Sequence, residues 1–116
     1  MEYYFEWPGI PVPYVRTTQR QKWVDPQYKR YMAFKKAFRV VADSGRIPSS
    51  LDPQKKYGIA IVIYTKRKLR GDLDNYVKSI LDSLWEQDRQ IKQIDVRVKE
   101  GWTEDRTVLS LSTLTG

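Results

Sequence analysis

Apolar side chains recur at two different periods along this chain, and the change of period marks out its elements. Tyr31, Phe34, Phe38 and Val41 repeat every three or four residues, the spacing of one helix face. Asp25 stands ahead of that run as a cap, Pro26 suits a first helical turn, and Ser44-Gly45 ends it. Leu73, Tyr76, Val77, Ile80, Leu81 and Leu84 form a second and clearer helical stripe. Between the two, Tyr57 to Tyr64 is almost continuously apolar and rich in β-branched residues, which predicts a central strand covered on both faces. Residues 3–7 predict a short aromatic first strand. Ile94, Val96 and Val98 alternate with polar neighbours, as do Thr107, Leu109 and Leu111. These predict two half-buried strands joined by a hairpin-like turn over residues 100–105.

The connections have their own character. Pro8, Pro11 and Pro13 keep the segment after the first strand extended, since each fixes φ and lacks a donor. Residues 16–22 are polar and without period, and residues 48–56 make a polar link. Residues 65–71 form a loop with four positive charges, on Lys66, Arg67, Lys68 and Arg70. No repeat or low-complexity segment interrupts the 116 residues, a length at which one core buries roughly two-thirds of the unfolded surface. The expectation is one α+β domain over residues 1–116, a mixed sheet with two main helices packed against it.

Composition narrows the chemistry. Twenty-one Lys and Arg against fourteen Asp and Glu leave a charge of +7, which suits a polyanionic partner, nucleic acid first among them. Cysteine and histidine are both absent. That excludes disulfide frameworks, thiolate or imidazole zinc sites, cysteine nucleophiles and serine–histidine arrangements. The longest apolar stretch is far short of the ~20 residues of a membrane helix, so no membrane partner is expected. The N-terminal residues lack the features of a secretory signal, and the expected location is the cytoplasm.

With those exclusions, acid–base and metal chemistry falls to carboxylates, lysine, tyrosine and water. Asp72, Asp74, Asn75, Lys78 and Asp82 cluster where the basic loop meets the second helix, and Asp88 follows the helix. Asp74, Lys78 and Asp82 lie at i, i+4 and i+8, on a polar face opposite the apolar stripe. If the strand after Asp88 returns beside strand 57–64, Asp88 approaches the other carboxylates. Clustered carboxylates holding Mg²⁺, with a lysine nearby and a basic loop for flanking phosphates, make a device for phosphodiester hydrolysis. The same residues also fit a plain structural account. Aspartates cap helices, Asp–Lys pairs four apart are common on solvated faces, and a basic loop can simply be solvated.

The motif Asp72-Leu73-Asp74-Asn75, Lys78 and Asp82 within Ile80-Leu81-Asp82-Ser83-Leu84 resembles the signature of the RusA family of Holliday junction resolvases. Asp88-Arg89-Gln90-Ile91 is similar to that family's following acidic motif, although Glu86-Gln87-Asp88 stands where members often carry adjacent aspartates. Gly9-Ile10-Pro11 and Arg16, ahead of a tyrosine-containing helix, resemble its N-terminal pattern. The resemblance implies a Mg²⁺-dependent endonuclease, with Mn²⁺ as a substitute ion, that acts as a homodimer and resolves four-way DNA junctions by paired symmetric cuts. By motif position it implies Asp72, Asp74 and Asp88 as metal-binding carboxylates and Lys78 as the catalytic lysine, with Asn75 and Asp82 in support.

Arg16, Arg20, Lys22, Lys66, Arg67, Lys68 and Arg70 are the candidate phosphate contacts. Trp7, Trp23 and Trp102 are candidates for a dimer interface or for the core. Three alternatives stand beside this reading: a nuclease for other branched DNA, a basic module that binds nucleic acid without cutting, and an assembly protein whose charge is incidental.

Overall fold

The structure, a computed structural model, describes residues 2–15 and 25–114. Arg16, Arg20, Lys22 and Trp23 lie outside them. Four strands and two helices follow in the order β1 (Glu2–Trp7), α1 (Pro26–Ser44), β2 (Tyr57–Tyr64), α2 (Leu73–Leu84), β3 (Ile91–Lys99) and β4 (Arg106–Thr113). The sheet order is β1-β4-β2-β3, with β1/β4 and β4/β2 antiparallel and β2/β3 parallel. This is a single α+β domain with a mixed sheet and two helices, as expected.

Two expectations are corrected. Residues 100–105 do not close a hairpin, because β2 lies between β3 and β4. The turn crosses the end of the central strand, and alternating patterns on both flanks cannot reveal which strands pair. Nor is β2 covered on both faces. Ile59, Ile61 and Ile63 are buried, while Ala60, Val62 and Tyr64 on the opposite side are half-buried. Both helices draw on one face: Phe34 and Phe38 of α1 and Ile80 and Leu84 of α2 join Phe5, Ile59, Ile61, Leu109 and Leu111 in one cluster. On the other face Val62 and Val108 are half-buried, and neither helix covers them among the described residues. Strand β3, expected to be half-buried, is mostly exposed because it is an edge strand.

The aromatic stripe of α1 is core rather than a stacking surface. Phe38 is fully buried, and its ring meets Phe5, Trp7 and Phe34 with centroids 5.1–5.4 Å apart, in edge-on or tilted geometry. Trp7 therefore belongs with the core. Asp25 caps α1 by accepting a hydrogen bond from the backbone N–H of Gln27 at 2.9 Å. At the other end Gly45 lies so close to β1 that an added Cβ would sit 2.8 Å from the Cβ of Phe5. Arg39 then ties the helix ends together. Its guanidinium donates to the carbonyls of Leu84 and Ile47, each at 2.8 Å, and pairs with Asp43. A cation on the last carbonyl of α2 also suits that end of the helix dipole.

Candidate active site

The parallel pairing of β3 with β2 decides the geometry of the site. Helix α2 is the crossover between the two strands, so the start of β3 returns beside α2. An open groove of about 480 Å³ forms between them, lined by Leu73, Asp74, Val77, Lys78, Leu81, Asp82, Asp88, Ile94 and Val96. The conditional expectation for Asp88 thus holds: its strand runs beside β2, and Asp88 shares a groove with Asp74, Lys78 and Asp82. Asp72 is exposed at the head of α2 and stands outside that lining. The helix face differs from the expected segregation. Leu73, Val77 and Leu81 line the groove together with the polar series, and Leu73 and Ile94 remain 37% and 47% exposed.

The acidic residues at the head of α2 are not used as a plain helix start would use them. Asp72 occupies the N-cap position with extended backbone (φ −82°, ψ 132°), yet its side chain makes no capping hydrogen bond. Gly71, at φ +83°, turns the chain from the basic loop into this position, a conformation that disfavours any residue with a Cβ. Lys78 makes no ion pair with Asp74 or Asp82 among the described residues. Its Nζ instead lies 4.1 Å from the centroid of the Tyr14 ring, a cation–π contact. Tyr14 meets Tyr31 edge-on at 5.6 Å, and the Tyr31 hydroxyl points to the Asp82 carboxylate at 3.5 Å, a long contact. Burial, reinforced by the Asp82 charge, pushes the Tyr31 hydroxyl far above its ordinary value. Asn75 contributes through its backbone: its carbonyl accepts from the N–H of Tyr14 at 2.9 Å, which fixes the proline-rich segment over the helix.

Beside this groove lies a second cleft, of about 740 Å³. It is lined by the basic loop from Thr65 to Arg70, by Ile10, Pro11, Pro13 and Tyr76, and by Arg30 and Asp105. Lys66, Arg67, Lys68 and Arg70 are brought together there, while Arg16, Arg20 and Lys22 lie outside the described residues. Reading by period missed two contributors. Arg30 lies off the apolar stripe of α1, and Tyr14 belongs to a segment with no period at all. Trp102, on the turn between β3 and β4, is 45% exposed and tilts against Tyr64 at 4.9 Å.

A family model described as endodeoxyribonuclease RusA matches residues 8–112, nearly the whole chain. The chain belongs to the RusA family. Membership implies an endonuclease that resolves Holliday junctions, and branched DNA is the substrate class of such enzymes. No curated protein sequence matches the chain. Among the described residues no helix is long and apolar enough to cross a membrane.

The donor chemistry of the groove suits a hard cation, because the groups at hand are carboxylates. Among the described residues no three of them gather closely enough to enclose an ion. Mg²⁺ does not require such a cage, since it commonly binds through one or two carboxylates, retained waters and substrate phosphate.

Proposed function

We propose that this RusA-family protein is a Mg²⁺-dependent endonuclease that cuts four-way DNA junctions in pairs, as a homodimer. The observation that carries this reading is the groove between α2 and β3. Asp74 and Asp88, fourteen residues apart in sequence, line one opening with Lys78, beside a cleft whose cations make no ion pair among the described residues. An exposed acidic groove next to a basic cleft is hard to explain by packing. It suits a site where phosphate must be both held and attacked.

In this reading the cations of the 66–70 loop and Arg30 hold the phosphates that flank the scissile one. Asp74 and Asp88 in the groove, and Asp72 at the head of α2, are the carboxylates that would hold the ion, one or two at a time with water and substrate phosphate completing its shell. When bound it would supply an activated water and offset phosphate charge. Lys78 presents its ammonium toward the groove, where it stabilises charge developing on the phosphate or leaving oxygen. Tyr14 holds that ammonium in place, and Asn75 holds Tyr14 through its backbone carbonyl. Asp82 balances the lysine without pairing to it. A four-way junction has near two-fold symmetry and is cut on two strands, so a two-fold dimer of these subunits supplies one site for each. Mn²⁺ has the same preference for oxygen donors and is the expected substitute ion.

The test is cleavage of an end-labelled four-way junction beside a linear duplex of matching arms, with several core sequences. It is run in Mg²⁺, in Mn²⁺ and in EDTA, with wild type and Asp74→Asn. Paired metal-dependent cuts near the branch point, lost in the variant, are expected, and sedimentation should give a dimer. Binding without cutting in every metal and core would return these aspartates to a non-catalytic role and leave a binding module. Cuts on flaps or forks in preference to junctions would move the substrate within branched DNA.

A further inference from the structure

The loop between β2 and α2 carries four cations in five residues, Lys66 to Arg70, and such a loop repels itself. Among the described residues none of the four makes an ion pair. The loop is held instead by the turn at residues 100–105. The register explains why the two meet: Tyr64 at the end of β2 lies opposite both Lys99, which ends β3, and Arg106, which begins β4. Both segments leave the sheet at the same end.

The contacts between them are made to the loop's backbone. Asp105 accepts from the N–H of Lys66 at 2.9 Å, and Glu100 accepts from the N–H of Leu69 at 2.7 Å. Thr65 is bracketed by the same turn, its N–H donating to the Lys99 carbonyl at 3.0 Å and its carbonyl accepting from the Trp102 N–H at 2.8 Å. At the far end the Tyr76 hydroxyl donates to the Arg70 carbonyl, tying the loop to α2. Two carboxylates thus grip main-chain donors and leave the four cationic side chains unpaired.

From this we infer that Glu100 and Asp105 are positioning residues for DNA binding, holding the 66–70 backbone so that its cations face the junction's phosphates. The inference rests on the reading of that loop as the junction-contacting segment. Charge alone assigns these carboxylates the opposite effect, since an anion beside a phosphate-binding cleft repels the ligand. A loop ordered in advance loses less conformational entropy on binding, and hydrogen bonds from main-chain N–H groups to carboxylates are among the stronger ones. Here the ordering outweighs the repulsion.

Equilibrium binding of a labelled four-way junction in EDTA, across a range of salt, separates the two. The proteins are wild type, Glu100→Ala, Asp105→Ala, Glu100→Gln and Asp105→Asn, each checked by its melting curve. All four variants lose one negative charge, so repulsion alone makes all four bind more tightly. Positioning makes each alanine variant bind roughly tenfold more weakly, as loss of one such hydrogen bond does, with a salt slope flatter by about one phosphate contact. The amide variants keep an acceptor oxygen and bind at least as tightly as wild type. Alanine variants that bind as well as wild type, or amide variants as weak as alanine, overturn the inference.

Should the alanine variants fail to fold, amide hydrogen exchange in the wild type decides. The Lys66 and Leu69 amides should be protected relative to those of Arg67 and Lys68, and equal rates overturn the inference. Wild-type protein that does not bind the junction removes the nuclease reading and the positioning role together. Wild-type binding with unweakened alanine variants removes the positioning role alone.

Discussion

The acidic groove and the basic loop adjoin each other across Gly71, and they are built in opposite ways. In the loop the main chain is tethered by Glu100, Asp105 and Tyr76 while the charged side chains are free. In the groove the main chain belongs to a helix and an edge strand, and little holds the carboxylates. Asp74 and Asp88 are exposed, and Asp72, at the head of α2 outside the lining, is exposed too and makes no capping bond. Lys78 is steadied by an aromatic ring rather than by an anion, and Asp82 meets the Tyr31 hydroxyl only at a long 3.5 Å. Binding phosphate gains from a loop whose main chain is ordered in advance, because ordering a loop on binding reduces affinity. Holding an ion between protein and substrate needs carboxylates that are not already committed to other partners. One region is organised in advance, and the other waits for its ligand to organise it.

That contrast can be broken most directly at Asp74. Asp74→Asn is expected to lower junction cleavage by at least roughly a hundredfold, the scale of losing one catalytic electrostatic group. Junction binding should persist or tighten, and a gel of cut and bound junction reads both at once. Cleavage retained in this variant would dissolve the distinction between the regions. Alanine at Lys66, Arg67, Lys68 or Arg70 should act on the other side of the comparison. Each substitution weakens binding about evenly across core sequences and reduces the salt slope by about 1, with cleavage at saturating protein little changed.

A smaller effect is expected where the groove borrows its order. Tyr14→Leu removes the ring beneath Lys78 and should slow cleavage about fivefold at saturating junction, whereas Tyr14→Phe keeps the ring and stays within about twofold. The smallest effect concerns the tyrosine behind it. The folded protein holds the Tyr31 hydroxyl protonated well above its ordinary value of 10.0. The unfolded chain therefore releases that proton first. Its contribution to stability is complete below about pH 10 and declines as the pH rises beyond it. Tyr31→Phe should flatten that alkaline decline, as read from urea unfolding at about pH 9 and about pH 11.

The elements were legible because local patterns carry them. Both helices, their caps at Asp25 and near Gly45, and the core identity of Phe34 and Phe38 follow from three- and four-residue spacing. So does the motif from Asp72 to Asp82, whose residues are neighbours in sequence and on one helix. The sequence also implied that Asp88 would join them if its strand ran beside β2, but left that condition open.

What the tertiary structure alone decided are the relations between segments. The insertion of β2 between β3 and β4 turned an expected hairpin into a crossing. It set residues 100–105 against the basic loop, 31 and 39 residues away along the two tethering hydrogen bonds. The same placement made β3 an edge, so Ile94 and Val96 line a groove, while Ile91, Val96 and Val98 pack only partly buried against the core. A backbone bond to Asn75 holds Tyr14, from a stretch with no period, over Lys78. Periodicity reports which face of an element is apolar, because that depends on neighbours a few residues apart. Which element covers that face depends on strand order and crossovers, and those are fixed by packing among residues that no local pattern connects.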